Sequence, residues 1–410
     1  MRRTGAAVLV TALILGFAAP AQAARAPVCP SSVGAQSAIV VEVETGIVAC
    51  ARAADKRLSV GSTTKLMTAL LTLEEAKLGD TFTAADYNAL PVESKIGLQA
   101  GERMRVSDLM RGLLLESGND AAVTLAEGVS GSRKTFVRQM NRRARELKLE
   151  NTHYANPIGL DQEGNYSSAR DLVTLAILLR KNRFFSKIVD SPSGTLKTGV
   201  RPRTFRNRNR LVIRYDWVNG VKTGHTRGAG YVLVGSARRN GVQLVSAVLG
   251  TPSEAARDSD TMNLFSWAFP RFQRVRAVVG GRPMARAQIR FRAGAELTLV
   301  PARTVRRIVL RGHRDAITTA VHAPEVVEGP IARGQQLGRV EVKQSGKVVA
   351  TVPLVAGSSV PAADLAQKTK SAAGRPWVLL LGAIVALGAT VLLARRRSST
   401  ARRPREARAA

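Results

Sequence analysis

The chain has 410 residues, 45% of them apolar, and a formal charge of +32. That length allows two domains and a sizeable core, and the charge points to nucleic acid or to an anionic surface as partner. Two cysteines and four histidines argue against a zinc site and against a serine–histidine–aspartate triad.

In chain order, Arg2 and Arg3 precede an apolar run from Gly5 to Ala18, and Ala21-Gln22-Ala23 closes it with a small-x-small pattern. This is the layout of a secretory signal peptide over residues 1–23, with an N-terminal membrane anchor as the competing reading. Export removes nucleic acid as a partner and puts lipid head groups or anionic wall polymers in its place. Much of the arginine reads equally well as solvated surface. Cys29 and Cys50 lie early in the exported body, where they form either a disulfide or two free thiols.

Residues 37–53 alternate around Thr45-Gly46, which predicts a β-hairpin. A helix is expected from Ser62, with Leu66, Met67, Leu70 and Leu71 on its apolar face and Gly79 beyond its end. Ser62 and Lys65, at i and i+3, then lie one turn apart on one face. A serine there can pass its proton to a lysine amine that burial and a second cation hold neutral. Two helical runs follow, broken at Ser117-Gly118, and the Ser117-Gly118-Asn119 triplet falls where side chains can face a cleft. "AGYVLVGSARRNGVQLVSAVLG" predicts two strands joined at Asn240-Gly241, and "EAARDSDTMNLFSWAF" a helix. Lys-Thr-Gly occurs twice, as Lys197-Thr198-Gly199 and as Lys222-Thr223-Gly224. Only the second runs into a strand-like segment.

One Ser-x-x-Lys, one Ser-x-Asn and a downstream Lys-Thr-Gly, in that order, resemble the set of the low-molecular-mass penicillin-binding proteins, serine-type D-alanyl-D-alanine carboxypeptidases. The likeness extends through "GLLLESGNDAAVTLAE", "NTHYANPIGLDQEGNYSSARDL" and "VNGVKTGHTRGAGYVLVGSA", over roughly residues 37 to 270. Gly118 stands where the set has an aspartate, and the deacylation element of class A β-lactamases is absent. Both departures favour the carboxypeptidase. The resemblance implies an α+β penicillin-binding transpeptidase/β-lactamase-like domain, an antiparallel sheet packed with helices. It implies Ser62, Lys65 and Ser117 as catalytic residues, and Asn119, Lys222, Thr223, Gly224, His225 and Arg257 as substrate-binding ones. The backbone of His225, rather than its ring, would complete an oxyanion hole with Ser62. Peptidoglycan stem peptides are the implied substrate and β-lactams the covalent inhibitors, with no metal, no cofactor and no nucleic acid. D,D-endopeptidase or weak β-lactamase action is the enzymatic alternative, and a membrane-anchored wall-binding module the non-enzymatic one.

The catalytic domain is expected over residues 24–272, followed by a small all-β domain over 273–357 and a linker over 358–375. Residues 376–394 carry no charge, begin near Trp377 and end at Arg395-Arg396-Arg397, which predicts a transmembrane helix with a basic cytoplasmic tail over 395–410. The body would then be extracytoplasmic on a single-pass membrane anchor.

Overall fold

The structure, a computed structural model, describes residues 27–373 and 376–399. The expected signal peptide and the tail beyond residue 399 lie outside them. The chain divides into two compact units, residues 1–239 with 243–269, and residues 240–242 with 270–410.

The first unit opens with the expected hairpin, β1 (Ser37–Glu42) and β2 (Val48–Arg52). All six residues of β1 are buried, so the strand is a central one covered on both faces rather than an alternating one. Cys29 and Cys50 are disulfide-bonded, tying the segment before β1 to β2. A short 3₁₀ turn, Gly61–Thr64, leads into α1 (Lys65–Glu75). Ser62 therefore stands one turn before the α-helix rather than inside it. Next come β3 (Thr81–Thr83) and β4 (Arg103–Arg105), then α2 (Val106–Arg111), a π-type turn at Gly112–Glu116, and α3 (Asn119–Ser130). The predicted break at Ser117-Gly118 lies between that turn and α3.

Helices α4 (Arg133–Glu146), α5 (Ala169–Leu179) and α6 (Arg183–Val189) follow. Ser132 and Ser168 cap α4 and α5 by accepting from the backbone N–H three residues on, at 3.2 and 3.1 Å. A small hairpin, β5 (Ser193–Leu196) and β6 (Arg203–Arg206), precedes the one-turn α7 (Arg210–Arg214). The long strands β7 (Val218–Thr226), β8 (Gly230–Arg239) and β9 (Val242–Thr251) come next, and α8 (Glu254–Ala268) closes the unit. Asn240 and Gly241 both have positive φ, as the two-residue turn from β8 to β9 requires.

The main sheet has the order β2-β1-β9-β8-β7, which leaves β7 at an edge. Helices α5 and α8 pack on β1 and β8, and α1 packs against α3 and α5. One continuous core, including Leu66, Leu109, Phe136, Leu172 and Val234, fills the space between them. Burying side chains of that size stabilises by about 1.5–3 kcal/mol each, which holds the turn carrying Ser62 against β7.

The second unit is all-β until its end. Strands β10 (Phe272–Val278) and β13 (Val305–Leu310) form an antiparallel pair. A six-stranded sheet contains β11 (Ala285–Ile289), β12 (Glu296–Pro301), β14 (Ile317–His322), β15 (Val326–Val327), β16 (Gln336–Gln344) and β17 (Lys347–Ala356). Its core draws on Val278, Leu297, Leu299, Val340, Val352 and Leu354. The expected linker contains a helix, α9 (Leu365–Ala373). Helix α10 runs Pro376–Ser399, past the expected end of the span at Ala394. Among the described residues no helix is long and apolar enough to cross a membrane. The transmembrane part of the expected fold thus has no support in the structure.

Candidate active site

Lys65 opens α1, and its amine is fully buried, with 0% of the residue exposed. Nζ lies 2.9 Å from Ser62 Oγ, 2.6 Å from Asn119 Oδ1 and 2.6 Å from the Ile158 carbonyl oxygen. Burial, and then the nearby charge of Lys222, push this amine well below the usual lysine range. A neutral amine held this way keeps two N–H groups for Asn119 and Ile158. Its lone pair then faces the Ser62 hydroxyl.

Ser117 ends the π-type turn in the left-handed region, at φ 68° and ψ 28°. That conformation, uncommon for serine, costs of order 1 kcal/mol and clusters at functional sites. Gly118 explains the missing aspartate. A Cβ there would stand 2.8 Å from Asp120 Oδ1 and 2.9 Å from the Ile96 side chain. The Asp120 carboxylate is already engaged, accepting the backbone N–H groups of Ile96, Gly97 and Leu98 at 2.9, 2.9 and 3.1 Å.

The next residue, Asn119, donates Nδ2–H to Glu93 Oε2 at 2.6 Å, and Tyr87 donates its hydroxyl to the same oxygen. The amide is thereby fixed with its oxygen toward Lys65. Burial pushes the Glu93 carboxyl up, but the bonds from Tyr87 and Asn119 outweigh it and leave the group below its ordinary value.

Edge strand β7 supplies the rest. Lys222, 1% exposed, donates to Ser117 Oγ at 2.9 Å and to the Thr223 carbonyl at 3.0 Å. Burial, with Arg208 as the next cause, lowers its amine to about 7. At Gly224 a Cβ would meet the Val60 carbonyl oxygen at 2.5 Å and the backbone nitrogens of Ser62 and Thr63 at 3.2 Å. Only glycine lets β7 pass this close to the turn bearing Ser62. The His225 ring is exposed and stacks on Tyr231 with centroids 4.1 Å apart. Its backbone nitrogen faces Gly61, bringing it to the same corner as the backbone of Ser62.

These elements surround a cleft of about 810 Å³ lined by Ser62, Ser117, Thr223, Gly224, His225 and Arg257, among others. Lys65, Asn119 and Lys222 lie buried beneath it. Arg257, 3% exposed, is held by Asp258 at 2.8 and 3.0 Å and by Glu254 at 3.0 Å. The predicted guanidinium is thus present at the cleft, with its charge partly compensated.

The first Lys-Thr-Gly is elsewhere, in the loop between β5 and β6. The backbone N–H groups of Lys197 and Thr198 and the Thr198 hydroxyl all donate to Asp108 Oδ2, at 3.0, 2.8 and 2.7 Å. Sequence reasoning missed Glu93 and Tyr87, which sit in a loop without a motif, and the Ile158 carbonyl, which lies in a block that resembles the family but is a backbone atom no residue type announces. Among the described residues no group of three His, Cys, Asp or Glu is placed to hold a metal ion.

A family model described as D-alanyl-D-alanine carboxypeptidase matches residues 21–253, and one described as penicillin-binding protein 5, C-terminal domain, matches residues 272–362. The chain is 31% identical over 369 residues to the D-alanyl-D-alanine carboxypeptidase DacF of Bacillus subtilis, covering 87% of this chain and 94% of that one. It is 34% identical over 291 residues to the D-alanyl-D-alanine carboxypeptidase of a Streptomyces species, covering 66% of this chain and 99% of that one. Among solved structures, penicillin binding protein 5 from Haemophilus influenzae superposes with a TM-score of 0.59 at 28% identity, covering 82% of this chain and 99% of that one.

Proposed function

The chain belongs to the D-alanyl-D-alanine carboxypeptidase family and is a serine-type enzyme of that activity, and we propose that Ser62 is its nucleophile and Lys65 its base. The observation that carries this assignment is the buried Lys65 amine, 2.9 Å from Ser62 Oγ and short of an ordinary lysine's basicity.

A stem peptide ending in D-alanyl-D-alanine lies along the free edge of β7. There Thr223 and Arg257 hold its terminal carboxylate. Ser62 Oγ attacks the carbonyl between the two D-alanines, and its proton passes to Lys65 Nζ. The backbone N–H groups of Ser62 and His225 receive the developing oxyanion. Collapse of the tetrahedral intermediate breaks the C–N bond. Lys65 gives that proton to the leaving amine by way of the Ser117 hydroxyl, which is bound to Lys222, so D-alanine departs and Lys65 is neutral again. Water then hydrolyses the ester on Ser62, and Lys65 takes the water's proton. Asn119 holds Lys65 on one side and offers its amide to the peptide on the other. The endopeptidase and β-lactamase alternatives are not favoured, since the curated relatives carry the carboxypeptidase name.

Labelled penicillin tests the assignment. It should acylate the protein and leave Ser62→Ala unlabelled, and the wild type should release D-alanine from a pentapeptide. Labelling of Ser62→Ala at the wild-type rate would overturn it.

Export by residues 1–23 and anchoring by residues 376–394 are part of the same reading, supported by the basic start, the uncharged stretch and the arginines that follow. Removing residues 376–410 should move penicillin labelling from the membrane fraction to the soluble one. A truncated chain still sedimenting with membranes would contradict the anchor.

A further inference from the structure

Five arginines line the cleft, Arg206, Arg208, Arg210, Arg214 and Arg257, against the carboxylates of Glu116 and Glu254. With Asp258, which pairs with Arg257, five against three leaves an excess of two positive charges. The pairings are uneven. Arg208 meets Glu116 at 2.5 Å, and Arg257 is held by Asp258 and Glu254. Arg210 comes only to 3.9 Å from Glu254, which already serves Arg257. Arg206 and Arg214 are exposed and, among the described residues, have no carboxylate within ion-pair distance.

Local structure puts these groups here. Arg206 is the last residue of β6. Helix α7 is capped by Asn209 Oδ1, which accepts from the Leu211 N–H at 3.2 Å, and it buries Leu211 and Val212. Arg210 and Arg214, four residues apart, are left on one exposed face of a single helical turn. Like charges at that spacing destabilise a helix, and among the described residues no carboxylate pairs with Arg214. The arrangement is one that a bound anion would relieve.

The terminal carboxylate of D-alanyl-D-alanine accounts for one positive group beside Thr223. A cleft of about 810 Å³ also holds more than that dipeptide. Resting on the carboxypeptidase reading, we propose that Arg206, Arg210 and Arg214 bind a second carboxylate of the stem peptide. It is carried, free rather than amidated, on the side chain of the residue immediately before D-alanyl-D-alanine. Guanidinium groups suit this task because their planar fork matches a carboxylate and they stay charged at every relevant pH. The enzyme would then trim acidic stems in preference to neutral ones.

The test compares kcat/KM of the full chain for two peptides of the same shape. One is Nα-acetyl-α-aminoadipyl-D-alanyl-D-alanine with its side-chain carboxylate free; the other is the same peptide with that group as the amide. The acid should be preferred by about tenfold, the scale of one well-placed charged hydrogen bond. In Arg206→Ala/Arg214→Ala the preference should collapse toward one, while penicillin still acylates the variant and so shows it folded. Equal rates on both peptides in the wild type would overturn the proposal. So would a preference that survives the double variant, or a loss equal for both peptides, which would mark the cluster as a general attraction. If neither peptide releases D-alanine, the carboxypeptidase reading fails first and takes this one with it.

Discussion

Lys222-Thr223-Gly224 lies within the edge strand β7, with the Lys222 amine buried against Ser117 and Gly224 pressed on the turn of Ser62. Lys197-Thr198-Gly199 lies in a loop, with the Lys197 side chain exposed and Thr198 closing hydrogen bonds to Asp108. Identical residues thus perform unrelated tasks. At β7 the burial lowers the lysine amine to about 7 and places it one hydroxyl away from the cleft. In the loop the threonine and two backbone amides stabilise a carboxylate and nothing reaches a substrate. The tripeptide acquires chemistry from the desolvation and the neighbours that its strand imposes.

The contrast is open to direct attack. The largest effect should come from Lys222→Ala, which should slow penicillin acylation by about a hundredfold or more, as loss of a preorganised charge at a reacting centre does. Stopped-flow or labelled-penicillin kinetics would show it, and a loss below tenfold would erase the distinction. A second effect, of about tenfold, is expected for Glu93→Gln, which leaves Asn119 less firmly oriented under Lys65; an unchanged rate and pH profile would make Glu93 merely structural.

The pH profile should separate the two lysines as well. In the proposed mechanism Lys65 must be neutral to take the proton and Lys222 charged, so kcat/KM should fall as pH drops through the depressed pKa of Lys65. It should fall again as pH rises through about 7, where Lys222 loses its charge. Lys222→Arg should remove that upper limb, since arginine does not titrate there, and Lys197→Arg should not move it. At the small end, Thr198→Val should cost about 1 kcal/mol of stability through the lost Asp108 bond. Thermal unfolding would read it, with acylation unaltered. Lys197→Ala should do least, leaving acylation within about twofold, as for an exposed side chain away from any partner.

Much of this was legible beforehand because it is local. Ser62 and Lys65 are three residues apart, so any helical turn brings them together. The break at Ser117-Gly118 and the Asn240-Gly241 turn are written in residue types that favour those conformations. What was not legible is non-local or depends on burial. Asn119 finds Glu93 across 26 residues of sequence, and no pattern around Leu90-Pro91-Val92 announces it. The partial neutralisation of Arg257 follows from where α8 places Asp258 and Glu254. Strand β1 looked alternating because sequence cannot show that both its faces are covered. The arginines of residues 203–214 read as polar sequence without a pattern until β6 and α7 gave them a common direction.

The Asp120 carboxylate, which accepts the three consecutive amides of residues 96–98, sets where the chain is free to change length. From Glu93 to Leu98 the loop is stitched to the start of α3 at both ends, by Asn119 and by Asp120. An insertion there would pull Glu93 off the amide that steadies Lys65. On the other side, between Asp86 and Leu90, the side chains are mostly exposed, yet the Tyr87 hydroxyl and the Leu90 N–H both donate to Glu93 and Arg133 donates to the Asp86 carbonyl oxygen. Changes of loop length that reshape the mouth of the cleft should therefore stay outside residues 87–98, since Tyr87 and Leu90 hold the carboxylate that steadies Asn119 beneath Lys65.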